Sequence, residues 1–323
     1  MPILITGGAG FVGSHTCVEL LNAGEEIVVL DNFYSSEAGT LDGIRRITGR
    51  DFKFCEADLL DSPAIDRIFN ENDIEGVIHF AGYKNVPESR KMPLMYYSNN
   101  LRATFNILET MNKYGCMTFI YSSSAEVYSR EAMSPITENA PLCPDNPYAS
   151  TKLVIENLCR EMYQASDRWT MLLLRYFNVA GAHESGLIGE DPVKYPTSIM
   201  SEAFARAIGT HNAESPESFE VSDYIHVTDL AKGHVAAVKK ARELQGGCYT
   251  YNLGRGCGVS EAQLLETFQR VNSVDLGYTA SPDANTAARY LDPSLAEKEL
   301  GWKAALGVEE MCRDAWNYRK NHI

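Results

Sequence analysis

Tyr148 and Lys152 stand four residues apart, a spacing that places both side chains on one face of a helix. A nearby ammonium lowers the pKa of a phenol, whose ordinary value is about 10, so Tyr148 is a candidate base near neutral pH. Three serines at residues 122–124 precede this pair at the end of a strand-like run. We therefore predict that Tyr148, Lys152 and a hydroxyl of these serines form a catalytic group that moves the proton of a substrate hydroxyl.

A glycine-rich turn near the N-terminus has the pattern of a dinucleotide-binding loop. Gly7, Gly10 and Gly13 follow a short apolar run and open a segment with helical spacing. In such loops the glycines allow a tight turn, close approach to a pyrophosphate, and close helix packing. Asp31 ends the next strand-like run, where a carboxylate can bind the adenosine ribose. Because no Arg or Lys occurs at residues 32–38 to receive a 2′-phosphate, the pattern favours NAD over NADP. The plainer alternative is a glycine turn with Asp31 as a helix cap.

Two periodicities alternate along the first half of the chain and return near residue 250. Short apolar runs lie at residues 3–5, 27–30, 52–54, 77–80, 119–121, 170–176 and 248–252. Segments with helical spacing, such as 11–23 and 97–114, lie between them. Continuous apolar strands separated by amphipathic helices predict an α/β fold, a doubly wound parallel sheet of the Rossmann type. Ligands of such sheets bind at the carboxyl ends of the strands, which is where the glycine loop and the three serines fall.

The texture of the sequence changes after residue 178, where loops rich in glycine, proline and short polar residues begin. We predict that residues 1–178, together with about 224–255, form the Rossmann domain. Residues 179–223 and 256–323 are expected to form a smaller α/β lobe that binds the substrate. Ser260 and Gln263 have the spacing of a capping box, which predicts a helix from residue 260 to about 271.

Composition limits the classes of partner. The 323 residues include 29 Lys and Arg against 43 Asp and Glu, so the formal net charge is −14 and binding to nucleic acid or to an anionic membrane is disfavoured. No apolar run approaches the ~20 residues that span a bilayer, and no signal-peptide pattern opens the chain. The eight cysteines are far apart and the histidines lack metal-ligand spacing, so we expect reduced thiols, no metal site and a cytoplasmic location.

Taken together, these motifs resemble the extended short-chain dehydrogenase/reductase family, and within it the sugar 4-epimerases. The family implies an NAD-dependent enzyme that inverts a sugar C4 hydroxyl through a transient 4-keto intermediate, acting on UDP-glucose and UDP-galactose or a related sugar nucleotide. It also implies a homodimer that pairs the helices around 97–114 and 149–166. The resemblance is carried by the glycine loop, Asp31-Asn32, His79-Phe80-Ala81-Gly82, the three serines, Tyr148-x-x-x-Lys152, Leu174-Arg175-Tyr176-Phe177-Asn178 and, less closely, residues 181–183, 223–227 and 251–254.

The resemblance also implies roles for individual residues. Tyr148 would take the proton of the sugar 4-hydroxyl, Lys152 would position the nicotinamide ribose, and Ser124 would hydrogen-bond the reacting oxygen. The implied cofactor-binding residues are Gly7, Gly10, Phe11, Val12, Gly13, Asp31, Asn32, Asp58, Leu59, Phe80, Ala81, Gly82, Lys84, Asn99, Ser122, Tyr148, Lys152 and Tyr176. The implied substrate-binding residues are Lys84, Ser124, Glu126, Tyr148, Asn178, Ser198 and Arg289.

The substrate lobe departs from the family pattern at positions that bind the diphosphate. Ser222 stands where one arginine is expected, and residues 281–284 hold no second arginine. Ser198 replaces an asparagine, and Arg289 replaces a tyrosine. Each charge-assisted contact between an arginine and a phosphate contributes about 1.5–3 kcal/mol, so the loss of two predicts weaker UDP binding.

Three alternatives to a UDP-sugar epimerase stay open at this point. The same chemistry could serve a carbohydrate without UDP, unless Arg289, Lys194 or Arg255 replaces the missing arginines. A dehydratase or decarboxylase would use an acid pair after Ser124, of which the sequence Ala125-Glu126 keeps only the glutamate. A non-catalytic NAD-binding regulator is the third alternative, and the intact catalytic group argues against it.

Overall fold

The computed structural model describes residues 1–191, 198–207, 221–277 and 288–322, so Lys194 and residues 281–284 lie outside the described residues. The strands are β1 (Ile3–Thr6), β2 (Ile27–Asp31), β3 (Lys53–Glu56), β4 (Gly76–His79), β5 (Thr118–Ser122), β6 (Thr170–Arg175), β7 (Asn178–Ala180), β8 (Val221–His226), β9 (Gly247–Asn252) and β10 (Gly258–Ser260). The helices are α1 (Phe11–Asn22), α2 (Ala38–Thr48), α3 (Ser62–Glu71), α4 (Val86–Lys91), α5 (Pro93–Tyr114), α6 (Pro147–Ala165), α7 (Ile199–Ala207), α8 (Val227–Glu243), α9 (Glu261–Asn272), α10 (Ser294–Leu300) and α11 (Val308–Lys320).

Within the described ranges, seven strands form the main sheet in the order β3-β2-β1-β4-β5-β6-β9, and each neighbouring pair is parallel. This confirms the predicted doubly wound Rossmann sheet, and each of its strands overlaps one of the seven apolar runs. The order reverses direction at β1, because the chain winds outward through β2 and β3 and then returns to β4 on the other side. The crevice at the carboxyl end of β1 is therefore the expected ligand site.

Alternating side chains of the strands pack in two hydrophobic layers, one on each face of the sheet. Ile3 and Ile5 pack in a cluster with residues of α1, α2 and α8, whereas Leu4 between them packs with residues of α3, α5 and α6. Helix α5 begins four residues before the predicted start because Pro93 occupies its first position, where a fixed φ favours a helix and no N–H is needed. Burial on both faces explains why the strands are almost wholly apolar.

A smaller layer forms the second lobe. In the described part of the chain its sheet has the order β10-β8-β7, with β7 and β8 parallel and β8 and β10 antiparallel. Its core joins α7, α9 and α11 through Phe204, Phe268 and Trp316, whose rings lie 5.5–6.1 Å apart. The predicted capping box is present, since the Ser260 side chain accepts from the N–H of Gln263 and the Gln263 side chain accepts from the N–H of Ser260.

Two stretches pack differently from the predicted division into a Rossmann domain and a substrate lobe. Strand β8 pairs in the small sheet as far as His226, although residues 224–226 were expected in the Rossmann domain. Helix α10 contacts α8 and β9, and Trp302 donates from its indole to the carbonyl of Asp229 (2.9 Å), although the lobe was expected to begin at 256. Residues 294–302 therefore support the main sheet, because their apolar side chains complete its outer layer.

Candidate active site

The glycine loop after β1 is packed so closely that side chains would not fit. A Cβ at Gly13 would lie 2.2 Å from the carbonyl oxygen of Gly7, and a Cβ at Gly7 would lie 2.8 Å from the amide nitrogen of Ala81. Gly7 also has a φ of +71°, which glycine adopts without strain. Helix α1 begins at the next turn with no side chain capping its first amides, so these N–H groups are available to an anion. The loop fits the pyrophosphate of a dinucleotide.

Asp31 at the end of β2 holds the glycine loop in place. One carboxylate oxygen accepts from the N–H of Ala9 (3.0 Å), and the other accepts from the N–H of Phe33 (2.9 Å) and the hydroxyl of Ser36 (2.8 Å). The helix-cap alternative is wrong, because α2 begins seven residues later with Glu37 before it. Sequence reasoning missed Ser36, although a hydroxyl five residues after a strand-ending carboxylate was a signal for it.

The remaining predicted cofactor residues lie near the same edge of the sheet, on the loops after β2, β3 and β4 and on helices α1 and α5. Asn32 donates to the Asp58 carboxylate (2.9 Å), which joins the loops after β2 and β3. Asn99 donates to Asn100 (3.2 Å), and Asn100 in turn exchanges two hydrogen bonds with the backbone of Tyr83. The other members are Phe11 and Val12 at the start of α1, Leu59 after β3, and Phe80, Ala81, Gly82 and Lys84 after β4.

Lys152 on α6 is buried against the end of β5. Its ammonium donates to the carbonyl of Ser122 (2.6 Å) and lies 4.7 Å from the ring centroid of Tyr121. Burial lowers the pKa of Lys152 to about 7, while the charge of Glu156 opposes that change. The Ser122 hydroxyl also forms a hydrogen bond with the hydroxyl of Tyr176, so the predicted residues Ser122, Lys152 and Tyr176 come together in one cluster.

Tyr148 lies one helical turn before Lys152, with the ammonium 5.7 Å from its ring centroid. Burial raises the pKa of Tyr148 to about 12, a hydrogen bond with Ser124 lowers it, and the charge of Glu126 raises it. Burial is the largest influence on the pKa of Tyr148, and the expectation that Lys152 lowers this pKa stays a prediction. The predicted geometry of Ser124, Tyr148 and Lys152 is nevertheless present.

A buried ion pair between Arg175 and Glu156 lies next to this cluster and was not predicted from the sequence. Arg175 at the end of β6 donates from Nε to Glu156 on α6 (2.8 Å), and Ser123 donates its hydroxyl to the same carboxylate (2.6 Å). Although burial raises the pKa of Glu156, the hydrogen bond and charge of Arg175 hold it below its usual range. The pair joins α6, which carries Tyr148, to the strands that carry the serines.

The substrate side of the pocket is formed by residues from separate segments. Arg289 pairs with Ser222 across adjacent backbone segments, and its guanidinium lies 5.2 Å from the ring centroid of Phe177 and 4.0 Å from a carboxylate oxygen of Glu126. Its Nε is buried without a hydrogen-bond partner. Asn178 donates to the Ser222 hydroxyl (2.8 Å). These residues place a cation, an amide and a hydroxyl on the side of Glu126, whose charge acts on Tyr148.

Lys84 and Ser198 both donate to the carboxylate of Glu190, a residue that was not predicted to lie in the site. Glu190 accepts from the Lys84 ammonium (3.4 Å) with one oxygen and from the Ser198 hydroxyl (2.7 Å) with the other. Lys84 also lies 5.9 Å from the ring centroid of Phe11. The contact links the loop after β4 to the segment before α7, so the cofactor loops and the substrate lobe are joined at this point.

Comparison with known proteins agrees with this geometry. Residues 3–254 match the model of the NAD-dependent epimerase/dehydratase family. This chain belongs to that family. It is 46% identical to UDP-glucose 4-epimerase of Bacillus subtilis, covering 100% of this chain and 98% of the relative, and 43% identical to the enzyme of Mus musculus, covering 99% and 97%.

Solved structures extend the likeness to the whole fold. UDP-glucose 4-epimerase from Bifidobacterium longum, in complex with NAD⁺ and UDP, superimposes with a TM-score of 0.92 at 40% identity and covers 99% of this chain and 98% of that chain. The Stenotrophomonas maltophila enzyme, with bound NAD and formylated UDP-arabinopyranose, has a TM-score of 0.93 at 37% identity and covers 100% and 98%. NAD is the cofactor of the family, which confirms the choice made from Asp31 and the absence of basic residues after it.

Two further properties of the described residues bear on partners. None of their helices has the length and apolar character needed to cross a bilayer. All eight cysteines carry free thiols, of which Cys17, Cys116, Cys159 and Cys312 are buried.

Proposed function

We propose that this protein is an NAD-dependent 4-epimerase that interconverts UDP-galactose and UDP-glucose. The observation that carries the proposal is the group of buried Ser124, half-buried Tyr148 and buried Lys152, in a chain whose glycine loop is fitted to a dinucleotide. Relatives 40–46% identical over nearly their full length are UDP-glucose 4-epimerases. Bound NAD supplies the acceptor and donor of a hydride, which is the chemistry that side chains alone lack.

In this proposal Tyr148 handles only the proton of the sugar hydroxyl. Its phenolate accepts the proton of the 4-hydroxyl, and the resulting phenol returns that proton to the same oxygen when the configuration at C4 has been inverted. The Ser124 hydroxyl, which hydrogen-bonds Tyr148, holds the oxygen in reach of it. Lys152, fixed on the carbonyl of Ser122, places its ammonium where the ribose of the cofactor is expected.

We further propose that Arg289 binds the anionic part of the substrate. Its guanidinium is held over Phe177 and within 3.5 Å of the carbonyls of Tyr128 and Ser129, and its buried Nε has a donor still to satisfy. Ser222, its partner across the backbone pairing, has a hydroxyl that accepts from Asn178 (2.8 Å). Asn178 and Ser198 are expected to complete the polar lining, and Glu126 positions Arg289 through their 4.0 Å contact.

The test is proton NMR of UDP-galactose with the purified protein and no added NAD. We expect the UDP-glucose signals to appear, and we expect Tyr148→Phe to lower kcat by at least about 10³-fold because the phenyl ring has no oxygen to accept the proton. Tyr163→Phe on the same helix is the matched control and should keep wild-type kcat. A Tyr148→Phe protein with full activity would contradict the assignment.

Ser222 stands where the family pattern has an arginine, and this difference favours a second candidate function. That function is the same reaction on a carbohydrate that lacks UDP. The same NMR experiment with galactose and galactose 1-phosphate separates the two. Turnover of free galactose with a kcat/KM above that of UDP-galactose would favour the second candidate, whereas turnover restricted to the nucleotide sugar would exclude it. A dehydratase is not favoured, because Ala125 is buried in the position where the second acid would stand.

We also propose that the protein is a homodimer in the cytoplasm. Helices α5 and α6 pack side by side, and their outer face exposes Phe105 and Val154, each nearly two-fifths accessible. Apolar side chains on adjacent helices are a surface that a second copy can cover. Light scattering after gel filtration should give twice the chain mass of 35.8 kDa, and Phe105→Glu should give the single mass.

A further inference from the structure

Two tyrosines on opposite sides of the glycine loop are in contact. Tyr34 lies in the loop after β2, and Tyr83 lies in the loop after β4. Their ring centroids are 4.9 Å apart at an interplanar angle of 41°, and their side chains share a hydrogen bond. Tyr34 is 59% exposed, so burial in a core does not explain the contact.

The order of the strands determines what this contact crosses. Strands β2 and β4 are not neighbours, because β1 lies between them in the sheet. Adjacent strands are about 4.8 Å apart, so side chains from the loops after β2 and β4 meet only by reaching over the carboxyl end of β1. That end carries the glycine loop, which is fitted to a pyrophosphate. The two tyrosines therefore span the cofactor crevice.

The two sides of this bridge are anchored differently. The N–H of Tyr83 donates to the buried side chain of Asn100 (2.8 Å), which donates back to the carbonyl of Tyr83 (3.1 Å) and to Thr151 (3.2 Å). The ring of Tyr83 also packs on the fully buried ring of Tyr96, 5.6 Å away. The loop of Tyr34 is exposed and is held locally by the N–H of Tyr34 on the side chain of Asn32 (3.0 Å). Tyr83 is therefore anchored on buried side chains, whereas the anchor of Tyr34 lies at the surface.

We propose that Tyr34 and Tyr83 form a strap that retains NAD, so that the cofactor leaves the crevice only after the two rings separate. This inference rests on the proposed function only in taking NAD as the bound group. A reaction that returns its cofactor unchanged after each turnover gains from a slow exit, because the enzyme then works without free NAD. Lys84 and Glu190 make a second crossing at the substrate lobe, which leaves the strap as the crossing on the adenosine side.

The experiment measures exchange of bound NAD in the holoprotein, using excess isotope-labelled NAD and mass spectrometry of the protein fraction with time. We expect Tyr34→Ala to exchange about tenfold faster than the wild type, the effect of losing one ring pair and one exposed hydrogen bond. Tyr34→Phe keeps the ring contact and should fall between the two. Tyr114→Ala, which removes another half-exposed tyrosine paired with Phe69, is the matched control and should exchange at the wild-type rate.

If Tyr34→Ala exchanges NAD within twofold of the wild-type rate, the strap is overturned. Purified wild-type protein that holds no NAD would also overturn it. Thermal unfolding of each variant, followed by circular dichroism, separates a local effect from a loss of fold, since exposed Tyr34 should leave the melting temperature unchanged. Faster exchange in a protein that fails to epimerise UDP-galactose would support the strap and reject the proposed function. Epimerisation with unchanged exchange would do the reverse.

Discussion

The cofactor half and the substrate half of this site are built in different ways. At the cofactor half, short-range sequence patterns place backbone groups, as when Asp31 holds the glycine loop through the N–H of Ala9, 22 residues away. At the substrate half, side chains come from distant segments, as when Arg289 reaches Glu126. The difference explains why the cofactor half could be predicted from the sequence and the substrate half could not. It also locates substrate choice in the part that depends on tertiary pairing.

Glu156→Gln is expected to give the largest effect, and it acts on the catalytic group that lies between the two halves. Its carboxylate is buried against Arg175, so neutralising it leaves an uncompensated charge and should lower the free energy of unfolding by about 3–5 kcal/mol. Because the pKa of Glu156 is held below its usual range, its contribution is present above pH 5 and is lost as pH falls through the lowered pKa. Urea unfolding at pH 7 and pH 3 measures both values.

The control for that variant is Glu161→Gln on the exposed side of the same helix, which should change the free energy of unfolding by less than about 0.5 kcal/mol. Equal stability of the two variants at pH 7 would contradict the role given to the buried pair. In the substrate half, Arg289 is one-fifth exposed, so its replacement should lower the free energy of unfolding by less than Glu156→Gln does.

Gly13→Ala should come next, because a Cβ 2.2 Å from the carbonyl of Gly7 must push the loop apart. We expect NAD to bind at least about tenfold more weakly, measured by titration of cofactor-stripped protein, with a loss of about 1–3 kcal/mol in unfolding free energy. Gly39→Ala is the control, since a Cβ there meets nothing within 4 Å. Unchanged NAD affinity in Gly13→Ala would mean that the loop is not the cradle.

The features that Gly13→Ala and Glu156→Gln test were not equally predictable from the sequence. The sheet and the glycine loop were predicted because apolar runs and glycine spacing are local patterns. The pairing of Glu156 with Arg175 was not predicted, because it depends on how α6 lies on β6 rather than on spacing along the chain. Asn100 was missed for the same reason, although its neighbour Asn99 was singled out.

Arg289→Gln tests the substrate half and should raise KM for UDP-galactose about tenfold while kcat changes less than about threefold. Arg289→Lys keeps the charge and should recover part of the affinity. Arg313→Gln, an exposed arginine paired with Glu310, is the control. An unchanged KM in Arg289→Gln would show that the diphosphate is bound elsewhere.

The sequence could not establish this position as a cation site. Arg289 lies next to Ser222 only because the segment after residue 288 pairs with β8, a contact between residues 67 positions apart. A change of one residue in that register would turn Arg289 away, since neighbouring side chains of an extended segment point to opposite faces. Resemblance named both positions as altered, and the structure shows that they are adjacent.

The smallest effects are opposite shifts in the pH profile at the boundary between the halves. Ser124 lowers the pKa of Tyr148 and the charge of Glu126 raises it. Because the phenolate is the active form, activity should rise with pH, and Glu126→Gln should move that rise to lower pH. Ser124→Ala should move it to higher pH and also lower kcat. Shifts in the same direction, measured as kcat/KM from pH 6 to 9, would contradict these roles.

The most direct test of the account is epimerisation of UDP-galactose in D₂O without added NAD, followed by proton NMR of the C4 position. If Tyr148 handles only the hydroxyl proton, the product UDP-glucose should keep its original hydrogen on C4. Deuterium on C4 would mean that the chain removes a proton from carbon and exchanges it with solvent. That result, or the absence of any UDP-glucose, would contradict the reaction assigned to Ser124, Tyr148 and Lys152.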